Sequence, residues 1–139
     1  MEVSDPLYHD VIMERNRQPR YAGRMPRFDT EAEGENPLCG DRIHVYFADD
    51  GSVLSHESQG CAIMIASAEL MADAVAGKDA TQIRQLRAAF EAVVTTGTEN
   101  PALGALNALA NISEYRSRIR CATLPWTTLG LALRALNNG

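Results

Sequence analysis

Three cysteines and one aspartate carry the chemistry in this chain: Cys39, Asp41, Cys61 and Cys121. Only Gly40 separates Cys39 from Asp41. In an extended segment residues i and i+2 point the same way, so thiol and carboxylate would face a common point. A glycine also precedes Cys61, and glycine permits unusual backbone angles and close approach to a bound atom. Three thiolates and a carboxylate make a four-ligand set, which suits tetrahedral zinc or the irons of a cluster. The spacing lacks the paired C-x-x-C ladder of a zinc finger, so buried thiols with Asp41 capping a turn fit the same residues.

Each cysteine reads as lying at an element boundary and none as lying in an apolar stripe. Cys39 precedes a strand, Cys61 joins a strand to a helix, and Cys121 joins a connector to the last helix. Edges are where a backbone presents ligands and nucleophiles. Two of the cysteines would sit at helix N-termini, where the helix dipole lowers a thiol pKa. A fully deprotonated set holds more negative charge than a divalent ion neutralises. Arg42, Arg118 and Arg120 adjoin the set in sequence and could offset the excess, Arg118 and Arg120 being the better placed. The competing role for each is a solvated surface charge. His44, on the strand that Asp41 opens, is taken to lie on the Asp41 side as a further ligand or proton carrier, against a plain solvent-facing role. His9 and His56 read as surface residues.

The elements that must position these groups follow from periodicity. Asp5-Pro6 has the form of an N-cap followed by proline at the first helical position, and 6–16 reads as a short amphipathic helix. Residues 18–38, rich in proline and glycine, read as a long loop, with 26–31 as a weak strand. From Arg42 the period becomes two: Ile43, Val45 and Phe47 share one face, and Arg42, His44 and Tyr46 the other. Asp49-Asp50-Gly51 turns the chain into a second strand, 52–58. A helix opens at Gly60-Cys61, with Ile63, Ser67, Leu70 and Ala74 on one stripe and Gly77 as its stop. Asp79 and Gln82 form a capping box for a helix that runs to Gly97. A short helix near 101–109, the connector "SEYRSRIRC" and a last helix after Cys121 complete the chain. In that last helix Leu129, Ala132, Leu133 and Leu136 face inward. The reading is one α+β domain over 1–139, a small three-stranded antiparallel sheet packed by helices.

Bulk properties narrow the function classes. The chain has 139 residues, 45% of them hydrophobic, and a net charge of −5. That length fits one domain, and the negative charge argues against generic binding to nucleic acid or to an anionic membrane. No apolar run reaches the roughly 18 residues of a membrane span, and the N-terminus lacks the pattern of a signal peptide. An odd cysteine count suits a reducing compartment, so a cytoplasmic location is expected.

The stretches "NPLCGD", "SQGCAIMIASAELM" and "RIRCATLPW", with "LYHDVIMERNRQPRYAG" near the start, resemble the U-type iron–sulfur cluster assembly proteins: IscU, SufU and the N-terminal module of NifU. The resemblance covers nearly the whole chain and leans toward SufU. The segment around 78–99 looks like the insertion of SufU-type chains, and Arg120 stands where IscU has a histidine. The connector also lacks the Leu-Pro-Pro-Val-Lys motif of IscU, which puts docking to its dedicated chaperone in question.

The resemblance implies a small sheet packed by helices. It implies Zn2+ on Cys39, Asp41, Cys61 and Cys121, or an iron–sulfur cluster in its place. It also implies a pyridoxal-phosphate-dependent cysteine desulfurase as partner, with cluster-assembly proteins downstream. Cys39 is the expected sulfur acceptor and Cys121 the alternative. A histidine of the partner would exchange onto the metal to free the acceptor thiolate, and Arg118 would give electrostatic support.

Overall fold

Alternation of inward and outward side chains builds the sheet that carries Asp41. The computed structural model describes residues 6–138, so the expected Asp5 cap lies outside the described residues. Strands β1 (Thr30–Asn36), β2 (Asp41–Ala48) and β3 (Val53–Gln59) pair antiparallel in the order β1-β2-β3. Asn36 lies opposite Asp41, and Val45 opposite His56. Ile43, Val45, Phe47 and Leu54 face inward and are buried. The turn between β2 and β3 passes through Gly51 at φ 75°, a left-handed conformation that glycine adopts without steric cost.

The first strand lies at 30–36 rather than 26–31. Its alternation is unusual: Glu31, Glu33 and Glu35 are exposed, while the inward positions are the small or polar Thr30, Ala32, Gly34 and Asn36. No apolar period announces such a strand. Small residues are required there because α4 (Arg116–Asn138) packs against β1. A Cβ on Gly34 would overlap Thr128 Oγ1 and lie 3.2 Å from Leu124 Cδ1.

All the helices of the core lie over one face of this sheet. Helix α1 (Pro6–Arg17) packs on α2 (Ala62–Val75), α2 contacts β3, and α4 crosses β1 and β2. Helix α2 is central and is buried around most of its circumference. Of the expected stripe Ser67 and Leu70 are buried and Ile63 and Ala74 half-buried, and Met64, Ala68, Met71 and Val75 are buried as well. Helix α3 (Ala80–Thr96) starts with the expected capping box between Asp79 and Gln82 and ends on left-handed Gly97. Residues 101–114 form tight 3-10 turns broken at Gly104, longer than the short helix expected near 101–109. Trp126 of α4 stacks on Phe90 of α3, ring centroids 5.2 Å apart.

Two expectations near the C-terminus change. The connector "SEYRSRIRC" is helical from Arg116, so Cys121 lies in the second turn of α4 and not at its start. Pro125 sits inside that helix, and its missing N–H removes the partner of the Cys121 carbonyl. The boundary misread from sequence reflects this: proline marks the early turns of many helices, and the polar run before it has no apolar period.

His56, expected at the surface, is only 1% exposed. Its Nε2 is 2.8 Å from Glu69 and its Nδ1 2.7 Å from Ser58 Oγ. Glu69, fully buried on α2, also accepts from the backbone N–H groups of Arg20 (2.6 Å) and Tyr21 (3.0 Å). Arg15 of α1 lies 3.6 Å from Glu69 and pairs with Asp73, which also accepts from the Tyr21 hydroxyl. A buried carboxylate persists only when its lone pairs are satisfied. Here the satisfied carboxylate binds α1, the 18–29 segment, β3 and α2 together.

Burial by itself raises the Glu69 pKa. The hydrogen bonds from His56 and from the two backbone N–H groups outweigh it and hold the group below the usual carboxylate value. A depressed carboxylate adds stability above its unfolded pKa and loses it as pH falls through the folded one. Glu69→Gln should therefore cost on the order of 3 kcal/mol at pH 7. That deficit should narrow as pH drops below about 4. Urea unfolding of both proteins across this range checks it, and a pH-independent deficit would contradict the linkage.

Candidate metal centre

A four-residue hairpin connection, 37–40, places the first two groups. The Cys39 N–H donates to the Asn36 carbonyl (3.1 Å), which closes the turn, and Asp41 begins β2 opposite Asn36. Gly40 takes φ 71° between them. Leu38 at the hairpin tip is 82% exposed, while Cys39 behind it is partly buried.

Helix α2 supplies the third group. Cys61 is its N-cap residue, as the sequence suggests. The Cys61 N–H donates to Asp41 Oδ1 (2.9 Å), and the Cys61 sulfur lies 3.6 Å from Asp41 Oδ2. One carboxylate oxygen is thus committed to the helix terminus, and the other faces sulfur. Gly60 makes this approach possible, since a Cβ there would overlap Asp41 Oδ1 and sit 2.9 Å from Asp41 Cα.

Helix α4 supplies the fourth. Cys121 is fully buried and belongs to the core cluster, against the expectation that no cysteine lies in an apolar stripe. Its sulfur is 3.5 Å from that of Cys39. Ligand atoms of Cys39, Asp41 and Cys121 lie within 4.8 Å of one another, and Cys61 joins through Asp41.

Metal–sulfur bonds of about 2.3 Å give tetrahedral ligand–ligand edges of roughly 3.5–3.8 Å. The Cys39–Cys121 and Cys61–Asp41 pairs stand at 3.5 and 3.6 Å, while Cys61 lies outside the group of three whose ligand atoms are all mutually close. The electrostatics point the same way. Asp41 is 1% exposed, and among the described residues no basic side chain pairs with it. A buried carboxylate facing three thiols calls for a cation.

Burial, then hydrogen bonds with Asp41, Cys39 and Cys61, push the Cys121 thiol well above its ordinary pKa. This reverses the lowering expected at a helix start, because Cys121 is neither terminal nor exposed. A bound divalent ion would favour the thiolate instead.

Arg118 is exposed, and its guanidinium is raised above its usual pKa by a hydrogen bond to Cys121 and by the charge of Cys61. Of the three arginines it is the one whose charge the thiols affect. Arg42 lies on the outer face of β2, 3.9 Å from Glu35, and Arg120 is exposed on α4. His44 stands three residues beyond Asp41 and so points to the opposite face of the sheet. Its ring nitrogens meet Glu31 (2.7 Å) and Glu33 (3.2 Å), and it stacks on Tyr46. His9 is exposed, as expected.

One residue at the site escaped the sequence reading. Asn36 is buried, and its side-chain Nδ2 lies 3.9 Å from the Cys121 sulfur. The sequence offered one sign of it, its place opening "NPLCGD", which reads equally well as a turn residue.

Comparison with known proteins agrees with this architecture. The profile of the NifU-like N terminal domain matches residues 7–122. The chain is 34% identical over 130 residues to the zinc-dependent sulfurtransferase SufU of Bacillus subtilis (strain 168), covering 90% of this chain and 88% of that one. It is 33% identical over 138 residues to the iron–sulfur cluster assembly scaffold protein IscU of Streptococcus pyogenes serotype M1, covering 95% and 86%. Among solved structures, a candidate cluster assembly scaffold for the SUF system of Fervidobacterium islandicum AW-1 superposes with a TM-score of 0.83 at 28% identity, covering 94% of this chain and 98% of that one. The chain belongs to the U-type iron–sulfur cluster assembly protein family, the group that holds the NifU-like N-terminal domain, SufU and IscU.

Proposed function

We propose that this chain is a zinc-binding sulfur acceptor, which takes persulfide sulfur from a pyridoxal-phosphate-dependent cysteine desulfurase and passes it on for cluster assembly. The observation that carries the reading is the buried Asp41 carboxylate, without a basic partner among the described residues and turned toward three thiols. Cys39, Asp41, Cys61 and Cys121 would hold the zinc. When bound, zinc keeps the thiols deprotonated and restrains their nucleophilicity.

Cys39 is the acceptor and Cys121 the alternative. Cys39 sits on an exposed hairpin beside glycine, whereas Cys121 is locked inside a helix. The Cys39 thiolate attacks the outer sulfur of the partner's cysteine persulfide. A new S–S bond forms on Cys39, the old one breaks, and the partner's cysteine leaves as a thiolate. No electrons are gained or lost overall. The Arg118 cation stabilises the negative charge gathered at the thiols. Asp41, a hard oxygen among soft sulfurs, keeps the site exchangeable. The likeness to SufU supports zinc, and the setting would be cytoplasmic, with the chain working as one domain.

A second reading is a scaffold on which a [2Fe–2S] or [4Fe–4S] cluster is built and from which it is transferred. The likeness to IscU from Streptococcus pyogenes favours it. Freshly purified protein separates the two. Stoichiometric zinc, no visible absorption, and stimulation of desulfurase turnover that Cys39→Ser abolishes are expected. A brown protein with sulfur-to-iron bands and no effect on the desulfurase would overturn the acceptor reading.

Two further substitutions probe the carboxylate. Gly60→Ala pushes Asp41 away and should weaken zinc binding by at least about 10-fold while the chain stays folded; competition with a chromogenic chelator measures it, and unchanged affinity would contradict the packing argument. Asp41→Cys supplies a fourth soft ligand. It should release zinc more slowly than wild type yet support less sulfur transfer, and faster release would remove the role given to the oxygen.

A further inference from the structure

Asn36 touches the site in three ways at once. Its carbonyl closes the turn that carries Cys39, its backbone lies opposite Asp41 in the sheet, and its buried side-chain amide points at the Cys121 sulfur. A carboxamide N–H donates and cannot take up the metal as a charged ligand. A donor facing a sulfur stabilises negative charge on that sulfur. The amide meets Cys121, whereas the side-chain donor against the Cys39 sulfur is the Cys121 thiol, and no nitrogen donor of a side chain meets it among the described residues.

The two sulfurs therefore differ in more than burial. Cys121 is fixed in the second turn of α4, inside the core, with an amide against its sulfur. Cys39 rides between exposed Leu38 and left-handed Gly40, where a Cβ would meet nothing within 4 Å. We propose that Asn36 is a positioning residue of the thiol cluster: its amide holds charge on the Cys121 sulfur, so that Cys121 stays bound and Cys39 is the thiolate that leaves. This rests on the reading of the cluster as a metal site.

Cobalt(II) substituted for zinc gives the test. Hydrogen-bond donation to a thiolate raises the energy of its sulfur-to-cobalt charge-transfer band, while the ligand-field bands report the ligand set. Asn36→Ala should move the charge-transfer band to lower energy with the ligand-field bands little changed, and should speed zinc loss to a chelator by about 10-fold. Asn36→Asp keeps the size and shape of the side chain but replaces the donor with an oxygen. It should move the band the same way, and it decides the matter if Asn36→Ala does not fold. Limited alkylation of zinc-loaded wild type, read by peptide mass, should mark Cys39 first, and the share at Cys121 should rise in both variants. Faster metal loss with an unmoved charge-transfer band would show a merely structural role and overturn the proposal, as would bands and alkylation identical to wild type. Failure of wild type to bind cobalt or zinc would instead overturn the metal reading itself, and this inference with it.

Discussion

A single buried carboxylate governs the site. Asp41 begins β2 almost fully shielded from water, with one oxygen held by the N–H of Cys61, the N-cap of α2, and the other turned to the Cys61 sulfur. A buried carboxylate with no basic partner among the described residues is costly in an apolar interior. Its surroundings supply one backbone donor and three thiols, a set that a cation would complete. The same contact fixes the hairpin against the helix N-terminus, so Cys39, Asp41 and Cys61 are positioned by one interaction. Gly60 has no side chain because any Cβ would occupy the space Asp41 needs.

The rest of the fold keeps that arrangement in place. Helix α4 brings Cys121 from the far end of the chain, and the close packing of Thr128 and Leu124 against Gly34 sets its depth beneath β1. On the other side of α2 a second buried carboxylate, Glu69, is satisfied wholly within the protein by His56, Arg15 and two backbone N–H groups. The contrast is informative. Glu69 has basic and backbone partners and serves as a structural tie, whereas Asp41 is met by one backbone N–H and by thiols. Within the cluster the candidate ligands differ in anchorage: Cys39 sits on a hairpin, Cys61 at the end of a helix, and Cys121 inside the core.

Much of this was legible in the sequence where local chemistry decides the outcome. The β2–β3 hairpin followed from the alternation of Ile43, Val45 and Phe47 and from Asp49-Asp50-Gly51, and α3 from its capping box and terminal glycine. The four candidate ligands stood out by type, and Cys39, Asp41 and Cys61 also by neighbouring glycines. What escaped was set by tertiary packing. Strand β1 has glutamates outside and small residues inside, a pattern dictated by α4 rather than by apolar periodicity. The burial of His56 depends on Glu69, thirteen positions away, and the role of Asn36 depends on Cys121, 85 positions away. The place of Cys121 was misjudged because a polar run concealed the first turns of α4.

The account comes down to whether these four side chains surround one ion. X-ray absorption at the zinc edge of the loaded protein measures that directly. Three sulfur neighbours at about 2.3 Å and one oxygen at about 2.0–2.2 Å, the oxygen replaced by sulfur in Asp41→Cys, is the predicted result. A zinc shell of nitrogen and water oxygen, or one that Asp41→Cys leaves unchanged, would contradict it.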